Sequence, residues 1–387
     1  MTTATKIIKN IPFGRPCITE EDRQAVLEVL NHNILTHGPQ GKAFEAEFAS
    51  YLGEEAHCVA VSSCMAALHL AYLQLGIGPG DEVIVPAQTH TATVHAVEWV
   101  GAKPVFVDCA LSTGNVTAAA ISAAITPKTK AIGVVHFVGI PCDMPALMKV
   151  AEKHHLKVIE DCALALGARY QNKHVGLYGD AGCFSFYPVK HMTTGEGGML
   201  VTRHAEVARG VEKLHAFGIE RSTDKKRPGV YDIVQLGLNY RMSELQAALG
   251  RTQLRRIPAS LSQREKNFEA ISDSLKDIDD IRILNSETPM GKNSHYCLVA
   301  VLGKRLRTRR DEIVLQLNAS GIGTSIYYPH PVPRMSYYRN KYGYDSSKYS
   351  GAIEISDHSI ALPVGQHVTI DDAEYIAKNL KRIIKEI

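Results

Sequence analysis

The sequence predicts an α/β protein built around a largely parallel sheet with helices on both faces. Short apolar strand-like runs alternate with helical periodicity from about residue 57 to residue 216. Strands buried on both faces of a parallel sheet have this near-continuous apolar character. With 387 residues, the chain is long enough for two domains. We therefore expect a large α/β domain over residues 1–257 and a smaller α+β domain over residues 258–387.

The large domain is predicted from its helical and strand-like periodicity, taken in chain order. Two amphipathic helices come first, over 19–30 and 40–52, and the first has Thr19 as its N-cap with Asp22 three residues later. The strands are predicted at 57–63, 81–86, 104–108, 130–137, 157–161, 184–187 and 198–202, and the helices between and after them at 64–75, 91–100, 117–124, 144–155 and 204–216.

The alternation stops at residues 218–240, which are polar and are predicted to form a long functional or mobile loop. A basic cluster within it, Lys225, Lys226 and Arg227, is interpreted first as a solvated loop and second as an anion-binding lid. Helical periodicity returns at 242–256, and Pro258 with a polar helix starting near 260 marks the domain boundary. Strands near 281–284 and 295–302, a helix over 309–320, a Tyr/Pro-rich loop at 327–338 and a final helix over 370–386 are predicted in the smaller domain.

The composition argues against several classes of function. The 43 basic and 40 acidic residues give a net charge of only +3, which does not indicate a nucleic-acid-binding protein. The eight cysteines form no C-x-x-C pair, which favours reduced thiols over a disulfide framework, and the histidines show no metal-ligand spacing. No run approaches the ~18 apolar residues of a membrane span, so we expect a cytoplasmic protein. The glycine-rich stretch at 76–80 follows a helix and not a strand, so it does not fit a dinucleotide fingerprint.

One lysine, Lys190, lies within the segment FSFYPVKHMTTGEGG, which spans residues 184–198. Most lysines are solvated surface charges, but this segment leads into a turn whose glycines let a ligand approach the backbone. Upstream, Asp161 ends another apolar strand, where an aspartate can also cap a helix or bind a ribose. An amine and a carboxylate at the ends of neighbouring strands suit pyridoxal phosphate, which joins a lysine as a Schiff base and pairs its pyridine nitrogen with an acid.

Three further turns carry candidate ligand residues. Ser63, Cys64 and Met65 begin a predicted helix whose free amides can hold a phosphate, although an ordinary serine cap is the commoner explanation. His90 begins another predicted helix, where its ring can stack on a planar cofactor or simply lie at the surface. Asn239, in the segment GLNYRM, is either a ligand donor or part of a helix cap.

Together these segments resemble the DegT/DnrJ family of pyridoxal-phosphate-dependent sugar aminotransferases, within the fold type I aspartate aminotransferase superfamily. The resemblance covers nearly the whole chain, and the ordered combination of motifs carries it. The motifs are THGPQGKAFEAEFASYLG (36–53), SSCMAALHLA (62–71), VIVPAQTHTATVHAVEWVGAKPVFVD (83–108), VIEDCALALGA (158–168), FSFYPVKHMTTGEGGMLVT (184–202), LGLNYRMSELQAALG (236–250) and the Tyr-Tyr-Pro of 327–329.

The resemblance implies a catalytic pair and a stacking residue. Lys190 corresponds to the Schiff-base lysine, which also moves the proton, and Asp161 corresponds to the partner of the pyridine nitrogen. His90 falls where relatives usually have an aromatic residue stacked on the ring. Pyridoxal 5'-phosphate is therefore the implied cofactor, with no metal.

The resemblance also implies how the phosphate is held. Cys64, Met65 and Ser185 resemble its contacts within one chain, beside the candidate Ser63. Asn239 matches an asparagine that reaches the phosphate across a dimer interface in relatives. A homodimer with shared active sites is therefore the implied working unit.

Two positions depart from the family pattern. Leu164 stands where many relatives have glutamine, so a polar contact near the ring hydroxyl is lost or comes from elsewhere. The usual histidine after the Tyr-Pro segment is not obvious in YYPHPVPRM (327–335), where His330 and Arg334 are candidate substitutes. The candidate substrate contacts are Tyr327, Tyr328, His330, Arg334 and Arg221.

The reaction that the resemblance implies is amino transfer from L-glutamate to a keto or aldehyde sugar. The acceptor is a nucleotide-linked keto-deoxyhexose or a free sugar acid such as 8-oxo-3,8-dideoxy-octulosonate, for polysaccharide or lipopolysaccharide synthesis. One branch of the family performs 3-dehydration and has histidine in place of the lysine, whereas this chain keeps Lys190 and adds His191, which either supports the site or marks a helix start. A 3-dehydratase and a non-catalytic cofactor-binding regulator are the alternatives.

Overall fold

The structure is a computed structural model that describes residues 9–53, 56–221, 230–286 and 288–387, with Arg221 described by its backbone alone. No helix within these ranges is long and apolar enough to cross a membrane. The strands of the chain's first 221 residues are β1 (His57–Val61), β2 (Glu82–Pro86), β3 (Lys103–Val107), β4 (Thr129–Val135), β5 (Lys157–Asp161), β6 (Arg169–Tyr170), β7 (Lys173–His174), β8 (Ala181–Ser185), β9 (Gly198–Thr202) and β10 (Ile219–Arg221).

The helices of the same part lie before and between these strands. They are α1 (Glu20–Leu30), α2 (Pro39–Leu52), α3 (Cys64–Gln74), α4 (Thr91–Trp99), α5 (Ala118–Ala124), α6 (Met144–His154) and α7 (Ala205–Leu214). The remaining elements are β11 (Tyr231–Ile233), α8 (Glu244–Arg255), α9 (Ile257–Leu275), β12 (Ile281–Ile283), β13 (Gly291–Lys292), β14 (Leu298–Leu302), α10 (Arg310–Ala319), α11 (Ser336–Tyr342), α12 (Ser350–His358), β15 (Ser359–Leu362) and α13 (Ile370–Glu386).

The central sheet has seven strands in the order β1-β9-β8-β5-β4-β2-β3. Strand β9 runs antiparallel to both of its neighbours, and the other pairs are parallel. Because helices connect the parallel strands, both faces of the sheet are covered, as the uninterrupted burial of β2 shows. The predicted α/β class with a mostly parallel sheet is confirmed.

The smaller sheet, β12-β14-β15, is antiparallel and belongs to a second hydrophobic core. This core joins α9, α10 and α13 through residues such as Ile271, Leu317 and Ile376. Ile11, near the start of the described chain, packs in the same core and pairs with Ile322 in a β-bridge. A segment near the N-terminus is thus packed on the C-terminal core. The domain boundary at residue 257 stays a prediction.

Most predicted elements are found within a few residues, and the differences have physical causes. The strand predicted at 184–187 runs from Ala181 to Ser185, because it begins with small residues that carry little hydrophobic signal. Its Gly182 is required, since a Cβ there would lie 2.4 Å from the Gly176 carbonyl oxygen. Helices α11 and α12 lack clear apolar periodicity and were not predicted. The polar region 218–240 holds the paired strands β10 and β11, and its basic cluster lies outside the described residues.

The end of β5 is fixed by a buried carboxylate, Glu160, on the face opposite to Asp161. Its oxygens accept hydrogen bonds from three backbone amides, those of Gly176, Tyr178 and Gly179, at 2.7–2.8 Å. The Nε2 atom of the buried His136 lies 3.0 Å away. Burial alone would raise the pKa of Glu160, but His136 and the amides of Gly179 and Gly176 lower it below its ordinary value of 4.5. Glu160 is therefore ionised inside the protein, and its hydrogen bonds connect the end of β5 with His136 and with the turn at residues 176–179.

We predict that Glu160→Gln lowers the free energy of unfolding by about 3 kcal/mol, because an amide NH₂ would replace an acceptor that faces backbone donors. Since the folded-state pKa is lowered, the stabilisation is present above about pH 4.5 and is lost as the pH falls. Urea unfolding at pH 7 and pH 4 measures both effects. Glu152→Gln, on the exposed face of α6, is the matched control, and equal unfolding of the two variants would contradict this role.

Candidate active site

The predicted residues meet at the carboxyl edge of the large sheet, where parallel strands commonly end in a ligand site. Residues that follow β1, β2, β5 and β8 surround a cavity of about 420 Å³, and the Tyr/Pro-rich loop of the C-terminal part closes its other side. The predicted residues that line it are Ser63, Cys64, Met65, His90, Asp161, Leu164, Ser185, Lys190, Tyr327 and Tyr328.

Asp161 is the last residue of β5 and is buried, with 6% of its surface exposed. The Thr93 hydroxyl donates to Oδ2 at 2.7 Å, and the Ala163 amide donates to Oδ1 at 3.0 Å. The Cys64 thiol lies 3.9 Å from Oδ1 and is closer, at 3.4 Å, to the Cys183 carbonyl oxygen. Each carboxylate oxygen thus has one strong donor, and the carboxylate keeps capacity to accept from a ligand in the cavity.

Lys190 follows β8 in a turn closed by a hydrogen bond from its amide to the Tyr187 carbonyl at 2.9 Å. Its Nζ lies 5.4 Å from the centre of the Tyr296 ring. Burial of the amine lowers the pKa of Lys190 below its ordinary value of 10.5, and the carboxylate of Asp161 only partly offsets this. An amine with a lowered pKa is a better nucleophile near neutral pH, as a carbonyl-binding lysine must be.

The first turn of α3 provides an anion site at the cavity. The Ser63 side chain caps the helix by accepting from the Ala66 amide at 3.1 Å, and its own hydrogen stays available to donate. The amides of Cys64 and Met65 have no partner within an α-helix, and both residues line the cavity. Gly198 lets β9 lie against this turn, because a Cβ there would be 2.6 Å from the Cys64 nitrogen. The ordinary serine cap and the predicted phosphate site are therefore compatible.

His90 caps α4, with its Nδ1 accepting from the Ala92 amide at 3.1 Å. His90 is exposed at its outer side, but desolvation at the cavity lowers the pKa of His90, and the positive charge of Lys190 lowers it further. A neutral ring whose Nδ1 accepts carries its hydrogen on Nε2. The ring contacts Tyr328 edge to face, with centroids 5.6 Å apart. His90 therefore presents a neutral aromatic ring at the cavity, as stacking on a planar ligand requires.

Tyr327 and Tyr328 are held in the cavity wall by the end of β2. Gln88, which is fully buried, donates to the Tyr327 carbonyl at 2.9 Å and accepts from the Ser356 hydroxyl at 2.9 Å. The hydroxyls of Tyr327 and Tyr296 lie 2.8 Å apart. Residues of the small C-terminal part thus close a site whose charged groups come from the large sheet.

Of the other predicted site residues, three lie elsewhere in the described part of the chain and the side chain of the fourth is not described. Arg334 binds Asp357, with Nη1 2.8 Å from Oδ2, and contacts the exposed His330, and neither Arg334 nor His330 lines this cavity. Asn239 is exposed and also outside the described lining, with its backbone bridged to Ala216. The side chain of Arg221 lies outside the described residues. As ligand contacts, these four stay predictions.

Three residues that matter for the geometry were not singled out from the sequence. Thr93 binds Asp161, Gln88 positions Tyr327, and Tyr296 contacts Lys190. Thr93 lies within the motif that includes His90, three residues after it, and this helical spacing was an available signal. Gln88 lies in the same motif, two residues before His90, but its partner Tyr327 is far away in sequence. Tyr296 offered no signal, because only the tertiary structure brings its segment to the cavity.

His191 and Leu164 lie beside the site, and neither adds a charge to it. No helix begins at His191, so the helix-start interpretation is wrong. Its buried ring lies 3.0 Å from the Ser294 carbonyl oxygen through Nε2, and burial lowers the pKa of His191 well below 6.5. Leu164 lines the cavity, and its carbonyl accepts from the Ser294 hydroxyl at 3.2 Å. Both residues hold the segment that presents Tyr296.

One buried group has the composition of a metal site: His136, Glu160 and Cys162 have ligand atoms within 4.8 Å of one another. The Cys142 amide donates to His136 Nδ1 at 3.1 Å, which places the ring hydrogen on Nε2 and directs it to Glu160. Glu160 also accepts three backbone amides. Hydrogen bonds account for this group, and it carries no metal assignment.

The Lys190 amine, the Asp161 carboxylate, the His90 ring and the N-terminus of α3 lie around one cavity and fit pyridoxal phosphate. At the carboxyl edge of a mostly parallel seven-stranded sheet, this is the arrangement of a pyridoxal-phosphate-dependent enzyme of fold type I. The sequence pattern of the DegT/DnrJ/EryC1/StrS aminotransferase family matches residues 16–381. The chain belongs to this family, and its cofactor is pyridoxal 5'-phosphate. Lys190, Asp161 and the first turn of α3 are the residues that would hold the aldehyde, the ring nitrogen and the phosphate.

Known relatives agree with this assignment over almost their full length. The spore coat polysaccharide biosynthesis protein SpsC of Bacillus subtilis is 35% identical over 381 residues, which are 97% of each chain. Spr1654 of Streptococcus pneumoniae, a candidate sugar aminotransferase solved in its PMP form, is 30% identical with a TM-score of 0.92, and 97% of this chain covers 100% of it. Helicobacter pylori PseC, an aminotransferase of pseudoaminic acid biosynthesis, is 27% identical with a TM-score of 0.92, with 98% and 100% covered.

The lowered pKa of Lys190 predicts how cofactor attachment depends on pH. Only the unprotonated amine attacks an aldehyde, so the rate of attachment to cofactor-free protein should rise with pH and level off below pH 10.5. Stopped-flow absorbance across this range measures the rate, with N-acetyl-lysine amide as the free-amine control. A protein rate that still rises through pH 10.5, as for the free amine, would contradict the effect of burial.

Proposed function

We propose that this chain transfers an amino group from L-glutamate to a keto or aldehyde carbon of an oxidised sugar. The observation that carries the proposal is the half-buried Lys190, whose amine has a pKa lowered by desolvation, in the same cavity as Asp161. A lysine can release the cofactor and rebind it, which amino transfer needs in each half of its cycle. The dehydratase branch has histidine at this position, so Lys190 favours amino transfer over 3-dehydration.

Each residue has a distinct part in this reaction. Pyridoxal phosphate, when bound, supplies an aldehyde for amines and a ring that withdraws electrons. The Asp161 carboxylate accepts the hydrogen of the ring nitrogen and keeps that nitrogen protonated. With the cofactor present, the free Nζ of Lys190 would take a proton from the donor's Cα and hold it for return. Tyr327, Tyr328 and Leu164 restrict the water that enters beside it.

The sugar acceptor is proposed as a class. A nucleotide-linked keto-deoxyhexose and a free sugar acid such as 8-oxo-3,8-dideoxy-octulosonate both present a carbonyl to the amine. SpsC is named for spore coat polysaccharide biosynthesis and PseC for pseudoaminic acid biosynthesis, and the name of SpsC supports a sugar destined for a polysaccharide. The apolar Leu164 and the tyrosine pair at 327–328 line the same cavity as Lys190, which makes them the candidate contacts of the acceptor.

The central test is the half-reaction with L-glutamate. Wild-type protein should lose its visible absorption on adding L-glutamate and release 2-oxoglutarate, and Lys190→Arg should slow this by more than about a thousandfold. Lys149→Arg, on the exposed side of α6, is the matched control. Borohydride reduction followed by peptide mapping should place the cofactor on Lys190.

The second half separates the alternatives. The glutamate-treated protein is mixed with nucleotide-linked and free keto sugars, and the masses of the products are measured by mass spectrometry. An amino sugar supports the proposal, whereas a deoxygenated sugar with release of ammonia would mean dehydration. Cofactor binding without any 2-oxoglutarate would identify a non-catalytic regulator.

We also propose a homodimer in which each cavity receives Asn239 from the partner subunit. The support is the position of Asn239, which is exposed and outside the described lining of its own cavity. The segment before it exposes apolar side chains, including Leu236 at 94% exposure, and such a patch marks a protein interface. Other exposed apolar residues of this segment are Val230, Tyr231, Ile233 and Val234.

Mixing two inactive variants tests the shared site. A Lys190→Ala subunit still carries Asn239, and an Asn239→Ala subunit still carries Lys190, so a hybrid dimer has one site with both residues intact. We expect the mixture, refolded together at limiting cofactor, to regain activity that neither parent shows. A mixture with no more activity than the average of its parents would mean that the cavity is complete within one chain.

A further inference from the structure

Two buried threonines lie behind the carboxylate that faces the cofactor. Thr89, between β2 and α4, is 1% exposed, and Thr93, in the first turn of α4, is fully buried. Their hydroxyl oxygens lie 2.7 Å apart, and the Thr93 hydroxyl lies 2.7 Å from Asp161 Oδ2. The three side chains thus form one continuous chain of short hydrogen bonds.

The direction of this chain follows from its hydrogens. A carboxylate oxygen accepts, so the only hydrogen of the Thr93 hydroxyl goes to Asp161. The hydrogen between the two hydroxyls therefore comes from Thr89. A hydroxyl that accepts one hydrogen bond donates a stronger one, so Thr89 strengthens the bond from Thr93 to the acid.

The orientation of the carboxylate depends on this bond. The Ala163 amide holds Oδ1 at 3.0 Å, and Thr93 holds Oδ2, so the two donors together prevent rotation of the carboxyl group. Without Thr93, Oδ1 alone would be fixed, since the thiol of Cys64 is 3.9 Å from the same oxygen and nearer to a carbonyl. Thr89 lines the cavity, whereas Thr93 is not among its described lining residues and acts through the acid.

We propose that Thr93, supported by Thr89, is a positioning residue that sets the orientation of Asp161 toward the nitrogen of the bound cofactor. The inference rests on the proposed role of Asp161 as the partner of that nitrogen. Substitution of Thr93 acts on cofactor affinity and on the electronic state of the ring without removing any group that touches the cofactor.

The test compares Thr93→Val, which keeps the shape and removes the hydroxyl, with Thr93→Ser, which keeps the hydroxyl. We expect Thr93→Val to raise the cofactor Kd about tenfold and to shift the pH midpoint of the visible absorption change, whereas Thr93→Ser stays within about twofold of wild type. Thr91→Val, two positions away on the same helix, is the matched control. Circular dichroism and thermal unfolding of the cofactor-free proteins verify that each variant folds.

The relay itself is tested by a double-mutant cycle. Because Thr89 acts through Thr93, Thr89→Val should weaken cofactor binding in the wild-type background by about threefold and have no further effect when Thr93 is valine. Folded Thr93→Val protein with wild-type Kd and spectrum would overturn the proposal. An undiminished effect of Thr89→Val in the Thr93→Val background would overturn the part assigned to Thr89.

The outcome is distinguishable from failure of the proposed function. If Asp161→Asn leaves cofactor binding and spectrum unchanged, the pairing of Asp161 with the ring nitrogen is wrong. If Asp161→Asn weakens binding and Thr93→Val does not, the pairing stands and the positioning role of Thr93 is wrong.

Discussion

The end of strand β5 is the constraint on which this site depends. Side chains alternate along a strand, so the adjacent acids Glu160 and Asp161 lie on opposite faces of the sheet. Three backbone amides donate to Glu160, and His136 lies beside it. These contacts fix the end of the strand on one face of the sheet. Asp161 is held by Thr93 and the Ala163 amide and faces the cavity from above. A movement of one acid therefore moves the other.

The site combines charges from the large sheet with a wall from the smaller C-terminal part. The carboxylate ends β5 and the amine lies in the turn that follows β8, whereas Tyr296 and Tyr327 come from segments around the second, antiparallel sheet. Tyr296, from the C-terminal wall, lies 5.4 Å from the amine, and desolvation of the amine lowers the pKa of Lys190. The chemistry of the lysine thus depends on how the two parts of the chain pack, although the lysine itself belongs to the first.

Local patterns were enough for much of the fold and for the centre of the site. The strands 157–161 and 198–202 and the capping box of Thr19 and Asp22 are found as predicted, because periodicity and caps act over a few residues. The strand ending at Ser185 was misplaced because its small residues depend on close packing with Gly176. Helices α11 and α12 were missed because contacts with distant residues stabilise them, such as Asp108, which accepts from the Gly351 and Ala352 amides.

The sequence by itself determined the α/β class, the residues Lys190 and Asp161 at strand ends, and the family whose ordered motifs surround them. The class follows from hydrophobic periodicity, the two residues from side-chain chemistry, and the family from the resemblance of the ordered motifs, and each of these is read from local stretches of the chain. Only the tertiary structure decided that β9 is inserted antiparallel, that the Tyr296 ring lies against the Lys190 amine, and that Thr89 is linked through Thr93 to Asp161. These contacts join residues that are far apart in sequence. Only the packing of the whole chain brings such residues within a few ångströms of one another.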